Sequence, residues 1–237
     1  MRRLRTVNVA RPAESAKHDG LAYTLWTPPQ PATAGVVILH GAGSSKESHH
    51  DFARMLAATG LAALCFDQRG HGESGDALDA RAGRDVARMA DLLRNRLGTP
   101  DALVALRGSS MGGYLAIAAA EQAGARAVVA ICPAPAQLLR TGLTRRGFGF
   151  EADVNGLDAF LAEHDLEAAL DLLEVPTLLL HAEGDEQVPV ESSRGLAGHF
   201  RSPDSRLVVV PGGHHRSIQH DPDLQALSLR FIERALS

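Results

Sequence analysis

The chain has 237 residues, of which 45% are hydrophobic and 22% are charged, as in an ordinary globular protein. Its net charge of −4 argues against a nucleic-acid or anionic-membrane partner, and no apolar run approaches the length of a membrane span. The basic N-terminal segment lacks the apolar stretch of a signal peptide, and both cysteines, Cys65 and Cys132, lie in apolar runs. The sequence therefore predicts a cytoplasmic protein with buried free thiols.

Strand and helix patterns alternate along most of the chain. Short apolar or alternating runs predict strands at residues 5–10, 21–27, 35–41, 61–67, 102–106, 127–132, 175–181 and 206–210. Helical spacing of apolar residues predicts helices at about 52–59, 81–97, 111–120, 191–200 and 222–235. The first two strands should form an antiparallel pair that turns at His18-Asp19-Gly20. The remaining alternation predicts one α/β domain with an open, mostly parallel sheet that has helices on both faces.

The central motif is Gly108-Ser109-Ser110-Met111-Gly112, placed where a buried strand ends and an Ala-rich helix begins. A sharp strand-to-helix turn would hold Ser110 in a strained conformation, and glycines on either side would remove the Cβ atoms that clash. The amide of Met111 could then donate to a developing oxyanion. Because such a pattern also arises by chance, an ordinary helix cap formed by Ser109 or Ser110 is the alternative.

Other polar clusters follow predicted strands, at the edge of the sheet where ligands bind. His40-Gly41-Ala42-Gly43 could supply a second oxyanion donor from the amide of Ala42, and His40 itself is expected only to brace the loop. An acid after the seventh strand could orient an imidazole. Asp185 is the preferred acid, with Glu183 and Glu186 as less favoured alternatives.

Two adjacent histidines, His214 and His215, lie on the Gly-rich loop after the last strand. Either could reach a neighbouring hydroxyl as a general base. A nucleophile, an acid and a base in the order Ser110, Asp185 and histidine, each at a strand end, is the arrangement of the α/β-hydrolases. This agreement outweighs the low specificity of each cluster alone.

Residues 137–174 break the alternation and contain two short helical patterns, around 157–164 and 166–173. An insertion of this length is typical of a small cap over the site within one domain that covers residues 1–237. We expect the cap to offer substrate-binding apolar side chains from Leu138, Leu139, Leu143, Phe148 and Phe150. Its charges most simply form solvated helix faces, and contact of Arg145 or Arg146 with an anionic substrate group is the alternative.

The chain resembles the α/β-hydrolase superfamily of serine esterases over essentially its whole length. HGAGSS is similar to the oxyanion loop, DQRGHGES to the family's D-x-R-G-x-G-x-S loop and GSSMGG to the nucleophile elbow. AEGDEQVP is similar to the acid loop, and PGGHHRS to the histidine loop. Similar loops place the catalytic histidine four residues after the proline, which selects His215 over His214. Ala182 stands where a glycine is common.

The resemblance implies a serine hydrolase that cleaves small carboxylic esters through an acyl-enzyme. Ser110, Asp185 and His215 would form the triad, and the amides of Ala42 and Met111 the oxyanion hole. No metal or cofactor is implied. The only expected partner is the small-molecule ester substrate, and the protein is expected to be a monomer or a homodimer. The alternatives are a thioesterase, an amidase or peptidase-type acyl hydrolase, a lyase, or a ligand-binding protein with slow turnover on the same fold.

Overall fold

The computed structural model describes residues 10–144 and 149–237. Within these ranges eight strands form a single sheet, and they are named β1 to β8 in chain order: Glu14–His18, Leu21–Trp26, Ala34–Leu39, Ala62–Phe66, Leu103–Ser109, Ala127–Ile131, Thr177–Ala182 and Arg206–Val210. Their order across the sheet is β1-β2-β4-β3-β5-β6-β7-β8. The first two strands pair antiparallel, β2 also pairs antiparallel with β4, and all other neighbours are parallel. The predicted mostly parallel sheet is thus confirmed.

The described residues contain eight α-helices, named α1 to α8: His50–Ala58, Ala82–Leu97, Met111–Ala118, Ala136–Thr144, Val154–Glu163, Leu166–Leu172, Val190–Ala197 and Pro222–Leu236. Alternate residues of each strand point to opposite faces. Val36 therefore packs in the core beneath α1 and α8, whereas Val37 packs in the core beneath α2 and α3. None of the helices in the described ranges is long and apolar enough to cross a bilayer.

The N-terminal hairpin differs from its prediction in the position of the first strand. Residues 5–9 lie outside the described residues, and β1 is formed by Glu14–His18 instead. The predicted turn is present, because Asp19 and Gly20 both have positive φ, at 50° and 81°. A two-residue turn pairs the residues that directly flank it, here His18 with Leu21. The strand therefore has to lie immediately before the turn.

The insertion contains three helices, one more than its sequence predicts. The two predicted patterns correspond to α5 and α6, whereas α4 at Ala136–Thr144 was not predicted. This helix includes Thr141, Gly142 and Thr144, which have low helix propensity. Tertiary packing stabilises it instead, since Leu139 and Leu143 are buried and Arg140 donates two hydrogen bonds to Asp158 of α5, at 2.7 and 3.0 Å. The helices of this insertion therefore pack against the core, and their role as a cap stays a prediction.

Candidate active site

The turn between β5 and α3 places Ser110 in the strained conformation that the glycine spacing predicts. Ser110 has φ 55° and ψ −119°, a region that residues with a side chain rarely adopt. A Cβ on Gly108 would lie 2.0 Å from the carbonyl oxygen of Gly112, and one on Gly112 would lie 2.4 Å from the carbonyl oxygen of Leu39. Only glycine fits these two positions. The steric fit fixes the serine at the carboxyl end of the central strand.

Asp185 and His215 form a directly hydrogen-bonded pair at the neighbouring strand ends. Nδ1 of His215 lies 2.7 Å from Oδ2 of Asp185, and the amides of Gln187 and Val188 each donate to Oδ1 of Asp185 at 2.9 Å. Burial opposes ionisation, but hydrogen bonds from the Val188 amide and from His215 lower the pKa of Asp185 below its usual value. The pair therefore combines a carboxylate with a histidine held at Nδ1, which leaves Nε2 of the ring available.

Two further side chains surround this carboxylate, and sequence reasoning gave neither a role. His181 is fully buried and lies between Oγ of Ser193, 2.7 Å from Nδ1, and the carbonyl of Val188, 2.9 Å from Nε2. Burial lowers the pKa of His181, so a neutral ring holds the loop that carries Asp185. Cys132 is the second of these side chains. Its Sγ atom lies within 4.8 Å of a carboxylate oxygen of Asp185 and of a ring nitrogen of His215.

Burial also raises the pKa of Cys132 well above its usual value. The Cys132 side chain is therefore a protonated thiol beside the Asp185 carboxylate. Metals bind the thiolate, which is a different species. Asp185 and His215 are already engaged with each other.

A cavity of about 820 Å³ brings five of the ten sequence-predicted site residues together. Ala42, Ser110 and His215 line it, as do Leu138 and Leu139 of α4. Met111 is buried behind the turn. As the first residue of α3, it has an amide without an acceptor inside the helix, available to a group at the helix start. Ala42, Ser110 and His215 therefore lie around one space, and Met111 directly follows Ser110 in the chain.

The other predicted substrate-binding residues do not share this position. Leu143 is buried in the core beneath the cap, and Phe150 stacks on the ring of His71 with centroids 4.1 Å apart. Neither residue is among the described residues that line the cavity, and their contact with substrate stays a prediction. Phe148, Arg145 and Arg146 lie outside the described residues.

His214 is exposed, and its backbone amide donates to Oγ of Ser217 at 2.9 Å. Its side chain is not among the described residues that line the cavity, whereas that of His215 is. Of the two adjacent histidines, His215 is thus the one that lines the cavity, and its role as the base stays a prediction.

The loop that carries Ala42 is held by His40, which braces it as predicted. The ring is fully buried, with Nδ1 2.8 Å from the carbonyl of Gly41 and the amide of Gln68 donating to Nε2 at 3.1 Å. Burial, together with the nearby His71, lowers the pKa of His40 to about 4. His40 is therefore neutral near pH 7, with its hydrogen on Nδ1.

A buried ion pair provides a second brace for this loop. Nζ of Lys46 donates to Oδ2 of Asp67 at 2.8 Å, and Oδ1 of Asp67 accepts from the amide of Lys46 at 2.7 Å. Both side chains are almost fully buried. Burial opposes the charge of Lys46, but its hydrogen bond with Asp67 and those with Glu47 and Glu73 raise the pKa of the amine. The sequence shows the DQRGHGES loop but gives no indication that Lys46 is its partner.

A strained serine between strand and helix, a histidine on the same cavity and a carboxylate bound to that histidine are the features of serine hydrolases with the α/β-hydrolase fold. The protein family described as serine aminopeptidase, S33, matches residues 30–154, more than half of the chain. The chain belongs to this family of α/β-hydrolase serine hydrolases.

Curated relatives and solved structures share this fold at low sequence identity. The protein named uncharacterized protein YfhR from Salmonella typhi is 25% identical over 93% of this chain and 78% of its own length. A monoacylglycerol lipase of Mycolicibacterium smegmatis is also 25% identical, over 82% of this chain and 85% of its own length. The crystal structure of the Paleococcus ferrophilus monoacylglycerol lipase superposes with a TM-score of 0.71 at 20% identity, over 91% of this chain and 98% of that one.

Proposed function

We propose that the protein hydrolyses carboxylic esters of small molecules through a covalent acyl-enzyme formed on Ser110. The observation that carries this proposal is the shared cavity of Ser110 and His215, with His215 hydrogen-bonded to the Asp185 carboxylate at 2.7 Å. The strained turn presents the hydroxyl of Ser110 to this cavity. The monoacylglycerol lipases among the similar proteins act on esters by their names, which agrees with the proposed chemistry.

In the proposed reaction, Oγ of Ser110 attacks the ester carbonyl while Nε2 of His215 accepts the hydroxyl proton. Asp185 holds the Nδ1 hydrogen, which keeps the correct tautomer and stabilises the imidazolium that forms. His215 then donates the proton to the departing alcohol. Water attacks the acyl-enzyme with the same proton transfers, and this releases the acid and regenerates Ser110.

The negative charge of the tetrahedral intermediate would be stabilised by the amides of Ala42 and Met111. Ala42 lies on the loop after β3 at the cavity wall, and Met111 lies at the start of α3, where the helix dipole favours an anion. Loss of one such donor typically costs on the order of 10²–10³ in rate. The braces formed by His40 and Lys46 support this role, because they hold the loop before substrate arrives.

An aminopeptidase would need to bind the free ammonium group of its substrate, for which a carboxylate at the cavity is the usual partner. No Asp or Glu is found among the described residues that line the cavity. The undescribed segments, residues 1–9 and 145–148, contain no Asp or Glu in their sequence. The charge of the cavity therefore supports ester substrates without a free amine.

The proposal is tested by labelling with a fluorophosphonate and by turnover of p-nitrophenyl esters. We expect one label per chain at Ser110, multiple turnovers of simple esters, and loss of both in Ser110→Ala with the circular dichroism spectrum unchanged. A panel of the corresponding thioesters and aminoacyl anilides compares the alternative substrates. Labelling at Ser109 in folded protein would contradict the role of Ser110, and one slow turnover with retained product would indicate a binding protein.

A further inference from the structure

The cavity presents two chemically different sides. Helix α4 contributes Leu138 and Leu139, which are apolar. The loop after β8 contributes Arg216 and His220, and the end of β5 contributes Ser109. A substrate that fills the cavity would therefore meet hydrocarbon on the cap side and hydrogen-bonding groups on the other side. The second side is the one that could distinguish substrates by charge.

The polar side carries a positive charge that the protein does not neutralise. Arg216 is exposed at the cavity and forms no ion pair within the described part of the chain, where the other lining residues include no Asp, Glu or Lys. Carboxylates close to this wall interact with other groups, and that of Glu186 interacts with the backbone amide of His215. Asp51 accepts from Nδ1 of His220 at 2.8 Å and from Nε2 of Gln225 at 2.7 Å, and Asp185 is bound to His215.

A buried cation lies behind the same wall and orients Ser109. Arg107 is 1% exposed, packs over the ring of Phe52 at 4.0 Å and donates to the carbonyl of Gln219 at 3.2 Å. Its Nη1 lies 3.5 Å from Nδ1 of His49, and Nε2 of His49 lies 3.5 Å from Oγ of Ser109. Burial lowers the pKa of Arg107 to about 10, so the side chain remains charged near pH 7.

The direction of these contacts decides what Ser109 offers to a ligand. A guanidinium only donates hydrogen bonds, so Nδ1 of His49 must accept and Nε2 must carry the hydrogen. Burial also lowers the pKa of His49 well below its usual value, which keeps the ring in this neutral form. The hydrogen on Nε2 points to Oγ of Ser109, and the hydroxyl hydrogen of Ser109 is left to donate into the cavity.

From this arrangement we infer that the preferred ester carries an anionic group, a carboxylate or a phosphate, bound by the guanidinium of Arg216 with a hydrogen bond from Ser109. Arg216 is then the residue that determines specificity. The inference rests on the proposed ester hydrolysis and names its substrate class. It follows from a guanidinium without an ion pair and an oriented hydroxyl donor that line the same cavity, where the described lining residues include no carboxylate. Such a combination is suited to an oxyanion.

Two matched pairs of substrates test this inference and locate the anion. The mono-p-nitrophenyl ester of adipate, whose acyl group is anionic, is compared with p-nitrophenyl hexanoate, whose acyl group is neutral. Butyrylglycerol phosphate, whose alcohol part is anionic, is compared with butyrylglycerol, whose alcohol part is neutral. The variants are Arg216→Gln, Arg216→Lys and, as matched control, Arg201→Gln, which changes an exposed arginine before β8, whereas Arg216 follows that strand.

For at least one pair, kcat/KM should be about tenfold or more higher for the anionic member, and this ratio should fall about tenfold in Arg216→Gln. Arg216→Lys should keep more of this ratio than Arg216→Gln does, and Arg201→Gln should leave the ratio unchanged. Added salt should reduce the ratio in the wild type. Ratios of one or less in both pairs, or a ratio unchanged in Arg216→Gln, would overturn the inference.

Hydrolysis of the two neutral esters tests the proposed function separately. Calorimetric binding of adipate and hexanoate to Ser110→Ala decides the inference even if no ester is hydrolysed. Adipate should bind more tightly, and equal affinities together with no preference for glycerol phosphate over glycerol would contradict it.

Discussion

Acidification should destabilise the fold through His40, the ring that braces the loop of Ala42. Burial lowers the pKa of His40 from 6.5 to about 4, so the folded state binds this proton less readily than the unfolded state does. A lowered pKa of this kind gives stability that is present above the unfolded-state value and is lost as the pH falls below it. The window of loss therefore runs from about pH 6.5 down to about pH 4.

The magnitude follows from the two pKa values. At pH 5 an unfolded-state histidine is almost fully protonated, whereas His40 remains mostly neutral. The linkage relation then gives a loss of about 2 kcal/mol in the free energy of unfolding between pH 7 and pH 5 from this residue alone. Protonation in the folded state would also remove the acceptor at Nε2 that the Gln68 amide uses.

The variant His40→Gln isolates this contribution, because an amide side chain can still donate to Gly41 and accept from Gln68 but does not titrate. Urea unfolding followed by circular dichroism at both pH values gives the change for each protein. The wild type should lose about 2 kcal/mol more than His40→Gln. Equal losses in wild type and His40→Gln would refute the reasoning.

Three further predictions concern catalysis. His215→Ala should lower kcat for p-nitrophenyl butyrate by several orders of magnitude, whereas His214→Ala should retain most activity; the reverse result would transfer the role of base to His214. Asp185→Asn should keep the fold but lower kcat by up to about 10⁴, because the amide cannot hold the same tautomer of His215, and a loss of less than tenfold would exclude this role. Values of kcat/KM should peak at acyl chains of about two to six carbons, because the apolar part of the cap at the cavity is small, and Leu139→Ala should flatten this dependence. Rates that still increase at about twelve carbons would instead indicate a deep channel.

The parts of the structure that the sequence predicted depend on local chemistry. The turn at Ser110 is specified by glycines whose neighbours leave no room for a Cβ, and this requirement is visible in the spacing alone. The last strand, at residues 206–210, and the last helix, which begins at Pro222 with Asp221 as its cap, are likewise encoded by adjacent residues. Local signals of this kind were sufficient to place the ends of the strands, and with them the candidate site.

The remainder depends on partners that are distant in the sequence. Lys46 meets Asp67 across 21 residues, and Arg107 meets His49 across 58, so neither pair has a local signature. The helix α4 forms because Leu139 and Leu143 pack into the core, although Thr141, Gly142 and Thr144 have low helix propensity. An aromatic residue such as Phe150 could equally face a substrate or stack on a neighbouring ring, and only the folded chain decides between them.

The assembly of the candidate site has a consequence for protein synthesis. Ser110 follows β5 in the centre of the sheet, whereas His215 follows β8, an edge strand that is synthesised after the other seven described strands. Until β8 pairs with β7, the imidazole has no fixed position beside Asp185, so a nascent or truncated chain can contain the serine and still be catalytically silent. Recovery of turnover after dilution from denaturant would therefore require the pairing of β8 with β7.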